Sequence, residues 1–357
     1  MSAIKKMADH EMTQFDYTFD PALIAAAPIA KRDQSRLLVY DRKQDTITHQ
    51  HFSSLIDLLN PNDLLVVNNT RVFPARLFAK KAIGGGRIEL LLLKEKSKWH
   101  WEALVKGSVE RQTLLQLNGG GEACIIDDLG EGRKEIIFDL PDKEEIFSYL
   151  EKHGEVPIPP YILQRRKGEP LTIPNDDERY QTIYAKETGS AAAPTAGLHF
   201  TKSLMASLKK KGISIVPITL RIGIDTFRPI GVDSLSNHQM SGEFFEISKR
   251  TAAAIAKAKK IGGRVVAVGT SATRAMESAT DSDGIVQAIS ATTRLFITPG
   301  YRFRSVDALI TNFHPPRATA LVLVSAFLGY NPLPRIYKEA LSREYRLFSY
   351  GDAMIIL

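Results

Sequence analysis

Thr251-Ala-Ala-Ala-Ile-Ala-Lys-Ala-Lys-Lys-Ile261, followed by Gly262-Gly263 and then Arg264-Val-Val-Ala-Val268, is the passage that decides the fold. Ala and Lys lose little side-chain freedom in a helix, so the first part reads as helix. The glycine pair stops it. The β-branched run after it reads as a strand. The same order occurs upstream, with a helix over Thr201–Lys211, a stop at Gly212 and a strand over Ile213–Leu220. Helix and strand in alternation predict an α/β layered domain with a largely parallel sheet.

The pattern changes between Val72 and Asp139. Short strands are expected at Arg76–Lys81, Arg87–Leu93, Trp99–Val105, Thr113–Leu117, Glu122–Ile126 and Glu135–Phe138. Gly84-Gly-Gly86 and Gly119-Gly-Gly121 lack the spacing of a P-loop or dinucleotide fingerprint and read as hairpin turns. Six strands so spaced predict a small β-barrel over 72–139, inserted in a larger α/β domain made of 14–71 and 140–357. Before it come a helix candidate at Pro21–Ala27 and strands at Arg36–Tyr40 and Asp63–Val67. Gln164–Glu178 reads as an exposed polar loop, and 1–13 as a flexible extension.

Composition narrows the function. The chain has 357 residues, 44% hydrophobic and 24% charged, ordinary values for a globular protein. A formal charge of +7 favours a polyanionic partner. Cys124 is the single cysteine, which excludes an intrachain disulfide, a multi-cysteine zinc site and the three-cysteine cluster of a radical enzyme. No metal is expected. The N-terminus has no signal-peptide core, and the longest apolar run, Ala318–Leu328, is about half a membrane span. A cytoplasmic protein without membrane contact is expected.

Gly189-Ser-Ala-Ala-Ala-Pro-Thr-Ala-Gly-Leu-His-Phe-Thr201 is built of small residues. It suits either close approach of backbone to a ligand, with Thr195 and Gly197 as candidates, or a tight packing loop. Arg264–Arg274 runs from a strand through Gly-Thr-Ser into a helix. Thr270 or Ser271 is expected as the cap, or as a donor to a carboxylate or ribose. Arg274, one turn in, pairs with Glu277 or with an anionic ligand. Thr311-Asn-Phe-His314 places Asn312 and His314 at a strand's carboxyl end, where α/β sheets bind ligands. His199, His238 and His314 are candidate proton carriers, and Glu243 is the carboxylate nearest His238 in sequence. Asn69, Arg71 and Arg76 are candidate contacts to a base, ribose or phosphate, and Tyr180 and Tyr184 are candidate stacking platforms. Tyr345, Phe348 and Tyr350 read as core, and Asp352 as either a cap or a ligand.

The Gly189–Thr201 segment resembles the signature of the S-adenosylmethionine:tRNA ribosyltransferase-isomerases of queuosine biosynthesis. Further blocks resemble that family in the same order. They are Arg32-Asp-Gln-Ser-Arg-Leu-Leu-Val39, Asn68-Asn-Thr-Arg-Val72, Pro74-Ala-Arg76, Pro157-Ile-Pro-Pro-Tyr161, Asp177–Tyr184, Ala267-Val-Gly-Thr270, Thr311–His314 and Tyr345–Met354. The resemblance implies S-adenosylmethionine as co-substrate, without a metal. It implies transfer and isomerisation of the ribosyl moiety onto 7-aminomethyl-7-deazaguanine in a tRNA anticodon stem-loop, giving epoxyqueuosine, adenine and methionine. Carried onto this chain, it assigns His314 and His199 to proton transfer, with Glu243 and His238 supporting. Arg274 would hold the methionine carboxylate, with Thr270 and Ser271 completing that end. A monomer is expected.

The motifs also depart from the family pattern. Arg221 stands in place of His, Asp225 of Gly, Ser241 of His, Ala272-Thr273 of Ser-Val and Pro315 of Leu. A paralogue acting on another substrate and a non-catalytic tRNA-binding descendant therefore stand as alternatives.

Overall fold

The computed structural model describes residues 11–143, 145–166, 175–223, 229–329 and 331–357. The chain lays down β1 (Arg36–Asp41), β2 (Thr46–His51) and β3 (Leu64–Asn68). A short strand, β4 (Thr70–Val72), then leads into β5 (Arg76–Lys81), β6 (Arg87–Ser97), β7 (His100–Lys106), β8 (Leu114–Leu117), β9 (Glu122–Gly130) and β10 (Arg133–Asp139). These last six close into a barrel in the order β10-β7-β6-β5-β8-β9. Their buried residues alternate, as in β7, where Trp101, Ala103 and Val105 point inward. The barrel core extends past Asp139 into α1 (Ile146–His153), whose Ile146, Tyr149 and Leu150 join the same apolar cluster. The unit expected over 72–139 thus shares its core with this helix.

The chain returns through β11 (Glu187–Ser190), which pairs with β4 as a two-stranded parallel ribbon. It continues with α2 (Lys202–Lys210), β12 (Ser214–Leu220), β13 (Glu243–Ile247), α3 (Lys249–Lys260), β14 (Val265–Val268) and α4 (Thr270–Ser278). The last elements are β15 (Ile289–Thr293), β16 (Ala308–Asn312), α5 (Thr319–Leu328), α6 (Leu333–Ser342) and β17 (Ala353–Ile356). Among the described residues nine of these strands form one sheet, in the order β15-β13-β12-β3-β14-β16-β17-β1-β2. Every residue of β3, β14, β16 and β17 is buried, because the two faces of the sheet carry separate apolar clusters. Helix α5 is buried on all sides, and its apolar run is core.

Several expectations need correction. The sheet is parallel only at β12–β3–β14–β16 and β17–β1; its other pairs are antiparallel. Antiparallel β13 and β15 extend one edge, and β17 is inserted against β16 from the C-terminus. Pro21–Ala27 is not a helix. Only Pro21–Leu23 makes a single 3-10 turn, because Ile24 and Ala25 pair with Leu347 instead. The supposed extension is tied down by Met12, which is buried and donates its N–H to Asp233 O; residues 1–10 lie outside the described residues. Of the loop expected at Gln164–Glu178, 167–174 lie outside the described residues, and its flanks are anchored by a buried Arg166–Asp176 pair at 2.6 and 3.1 Å.

Candidate active site

The parallel core aligns the carboxyl ends of β14 and β16, with Val268 opposite Ile310. Gly269 then turns the chain at φ +91°, donating its N–H to Ile310 O, and α4 begins at Thr270. Gly269 itself is the N-cap, so neither Thr270 nor Ser271 caps the helix as expected. A side chain there would force a left-handed backbone on an ordinary residue. The cleft that opens at this sheet edge spans about 910 Å³, part of it open to solvent. Its walls are Ala193–Ala196, Gly269–Ser271 and Thr311–Asn312, with apolar surface from Leu220, Ile222, Leu295, Phe296, Leu323 and Phe348. A largely apolar cleft with a few convergent polar groups is the usual form of a small-molecule site.

Arg274 enters this cavity from α4. Its Nε donates to Leu295 O at 3.0 Å and its Nη1 to Glu243 Oε2, while Nη2 is buried with no partner among the described residues. Glu243 Oε1 accepts the N–H of Gly223 at 3.0 Å. Both oxygens of Glu243 are therefore engaged, and its position is that of a counter-ion holding Arg274, not of a proton carrier. The alternative Arg274–Glu277 pair does not form, because the buried Glu277 instead accepts N–H groups from Arg304, Ser305 and Val306. Ser271 Oγ accepts from Asn68 Nδ2 at 3.1 Å, and buried Asn68 also bonds Leu220 N and O, tying α4 to the neighbouring strands.

The opposite wall centres on Asn312. Its Oδ1 accepts from Thr195 Oγ1 at 3.0 Å, and its Nδ2 lies 3.2 Å from Phe348 O and 3.3 Å from His199 Nε2. Phe348 is held at φ +70°, a conformation costly for a bulky residue and fixed here by its packing and by the Asn312 contact. His199 stands behind this wall. Its Nδ1 lies 2.7 Å from Ser35 Oγ, its ring stacks on Phe52, and it does not line the cavity. Burial, aided by the charges of Arg32 and Arg346, pulls its pKa down to about 3. The expectation of proton transfer by His199 is thus replaced by a buried neutral imidazole that fixes Asn312.

His314 does line the cavity. Its Nε2 lies 2.7 Å from Thr311 Oγ1, and no described residue meets its Nδ1. Its backbone N–H donates to Tyr337 Oη at 3.0 Å, and Tyr17 Oη donates to its carbonyl at 2.6 Å. Burial lowers its pKa to about 4, so the ring is neutral near pH 7 and able to accept a proton.

A family model described as queuosine biosynthesis protein matches residues 12–356. The chain belongs to this family. Among solved structures it is similar to an S-adenosylmethionine tRNA ribosyltransferase from Thermotoga maritima, at 33% identity and a TM-score of 0.55, covering 96% of this chain and all of that one. The mixed α/β fold with a closed six-stranded barrel agrees with that structure. The role in queuosine biosynthesis is enzymatic.

In this queuosine biosynthesis family chain, the cavity gathers Thr195, Glu243, Thr270, Ser271, Arg274, Asn312 and His314 from four separate segments. Other expected site residues lie elsewhere. His238 packs edge-on against Phe296 and supports the wall from outside. Gly197 faces Tyr184, since a Cβ there would come within 2.1 Å of Tyr184 Oη. Tyr180 is fully buried and presents no face for stacking, and Tyr184 is half-buried against an apolar cluster. Arg76 is buried against Glu89 and Ile158 O at the barrel base. Asn69 accepts from Thr219 Oγ1 at 2.7 Å, and Asp352 is a buried clamp for Arg36 and the Arg346 N–H. Arg71 alone of the expected nucleic-acid contacts is exposed, at the rim of a cleft beside the barrel. Tyr161 and Ser349, whose hydroxyls lie 2.6 Å apart on the cavity wall, were not singled out as site residues. Their signal was present in the Pro157–Tyr161 and Tyr345–Met354 blocks.

Proposed function

We propose that this chain transfers and isomerises the ribosyl moiety of S-adenosylmethionine onto 7-aminomethyl-7-deazaguanine at the tRNA wobble position, giving epoxyqueuosine-tRNA, adenine and methionine, in the cytoplasm. The observation that carries this reading is Arg274 Nη2, buried at the cavity without an acceptor among the described residues, beside the N-terminus of α4. A buried, unpaired guanidinium N–H is costly, and a carboxylate relieves it with a charge-assisted bond. The group fits. Arg274 and the N–H groups at Thr270 and Ser271 would hold the amino-acid end, and the small wall Ala193–Ala196 with Leu220, Ile222 and Phe348 would receive apolar and aromatic surface.

When bound, the sulfonium of S-adenosylmethionine supplies an acidified ribose 5′ carbon and a good leaving group. The residues supply the rest. With His314 Nε2–H donating to Thr311, Nδ1 keeps its lone pair and takes a proton at the cavity surface. The attacking alkylamine must be neutral, although its free pKa is about 10, and an apolar cavity favours that form. Asn312, held through Thr195 and His199, fixes the wall facing Arg274, and the apolar residues exclude water.

The placement of the motif departures supports the family reaction over a paralogue. Ala272 and Thr273 are buried in α4 on the side away from the cavity, Ser241 is exposed, and Arg221 lies off the cavity; Pro315 lines it. Asp225 lies outside the described residues. The test is adenine release, followed chromatographically with stem-loop RNA carrying either 7-aminomethyl-7-deazaguanine or guanine. Release only with the modified base supports the proposal. Release indifferent to the base, or none with cofactor bound, contradicts it.

A further inference from the structure

The outer face of the β12–β13–β15 edge carries a row of cations that the cavity does not use. Strand alternation turns Leu220 and Ile222 into the cavity and Arg221 to the opposite face. Arg221 is exposed, and its guanidinium lies 4.9 Å above the ring centroid of Phe244 on the neighbouring strand. It rests against Gly189, whose φ of +144° and lack of a side chain leave that space; a Cβ would come within 2.8 Å of Arg221 Nε. Phe244 is paired in turn with Thr292, two residues before the exposed Arg294. Arg294 packs against Gly242 and directly precedes Leu295 of the cavity wall. On the other side, Gly189 follows Thr188, the partner of the exposed Arg71 in the β4–β11 ribbon. No carboxylate among the described residues pairs with Arg71, Arg221 or Arg294.

Unpaired exposed guanidiniums on neighbouring strands of ribbon and sheet, one of them with an aromatic seat, complement a chain of phosphates. We propose that Arg71, Arg221 and Arg294 form a track for the phosphodiester backbone of the RNA whose base enters the cavity. This rests on the function proposed above. The track runs from the barrel-side cleft to the cavity rim, and Arg221 and Arg294 each adjoin cavity-lining residues in the chain. Phe244 acts as a positioning residue that holds Arg221 extended.

The test is fluorescence anisotropy of a labelled anticodon stem-loop bearing the modified base, titrated with the intact protein over a salt series. Arg71→Gln, Arg221→Gln and Arg294→Gln are each expected to weaken binding roughly three- to tenfold and to lower the slope of log K against log salt by about 0.7–0.9. Phe244→Leu is expected to lose affinity and slope in the same direction. Lys260→Gln, exposed at the far end of α3, should leave both unchanged. S-adenosylmethionine affinity, measured by calorimetry, should stay at wild-type level in Arg221→Gln and Arg294→Gln. Wild-type affinity and slope in the three arginine variants would overturn the track while leaving the proposed reaction standing. Failure of the wild-type protein to bind the RNA would overturn both.

Discussion

At the scale of single residues, the central feature is a cation kept short of one partner. Glu243 engages Nη1 of Arg274 and Leu295 O engages Nε, which leaves Nη2 for a ligand. Arg274→Gln is expected to weaken S-adenosylmethionine binding by about tenfold or more, read by calorimetry. Glu243→Gln should weaken it less, because the guanidinium remains but loses its anchor. His314→Gln should behave differently, lowering kcat by roughly 10²–10⁴-fold with cofactor affinity nearly unchanged. A loss confined to affinity would place His314 in binding instead. The polar ends of this site were legible in the sequence, since Asn312 closes a strand and Thr270, Arg274 and His314 follow strand ends. The partner of Arg274 was not, because Glu243 lies 31 residues away and reaches it only through the pairing of antiparallel strands.

At the scale of elements, small residues in the Gly189–Thr201 segment serve two ends. Ala193–Ala196 form cavity wall, whereas Gly197 makes room for Tyr184, whose buried hydroxyl has no partner among the described residues. Gly197→Ala is expected to destabilise the fold by about 1–3 kcal/mol, since Tyr184 must move. Tyr184→Phe removes the closest clashing atom but leaves Thr182 Cγ2 at 2.8 Å and the ring at 3.0 Å, so the double variant should recover part of that loss in a thermal melt. Additive losses would show that the clash is not the cause. Composition alone left both readings of the segment open, and both hold within five residues of each other. The barrel strands were legible because alternation and glycine turns are local signals. The antiparallel edges of the sheet and the loss of the Pro21–Ala27 helix were not, because both follow from pairing with distant segments such as Leu347.

At the scale of the whole molecule, two neutral imidazoles couple stability to pH. His199 and His314 have folded-state pKa values of about 3 and about 4, against about 6.5 in an unfolded chain. Between those values the unfolded chain binds more protons, so stability rises with pH there. It is complete above about pH 6.5 and is lost as pH falls toward 4 and then 3. Thermal midpoints should therefore drop steeply over that window, and His199→Gln should flatten the drop while lowering the midpoint at neutral pH. An unchanged slope would mean that His199 is not buried neutral. The fold as a whole places the cavity at the carboxyl ends of β14 and β16, and Arg221 on Phe244 on the other face of the neighbouring strands, which is where the proposed cofactor and RNA would meet. The most direct measurement is mass spectrometry of anticodon stem-loop RNA bearing 7-aminomethyl-7-deazaguanine after incubation with the protein and S-adenosylmethionine. The account predicts RNA carrying the added epoxycyclopentanediol, with adenine and methionine released in equal amounts. Unchanged RNA in the presence of bound S-adenosylmethionine would contradict it.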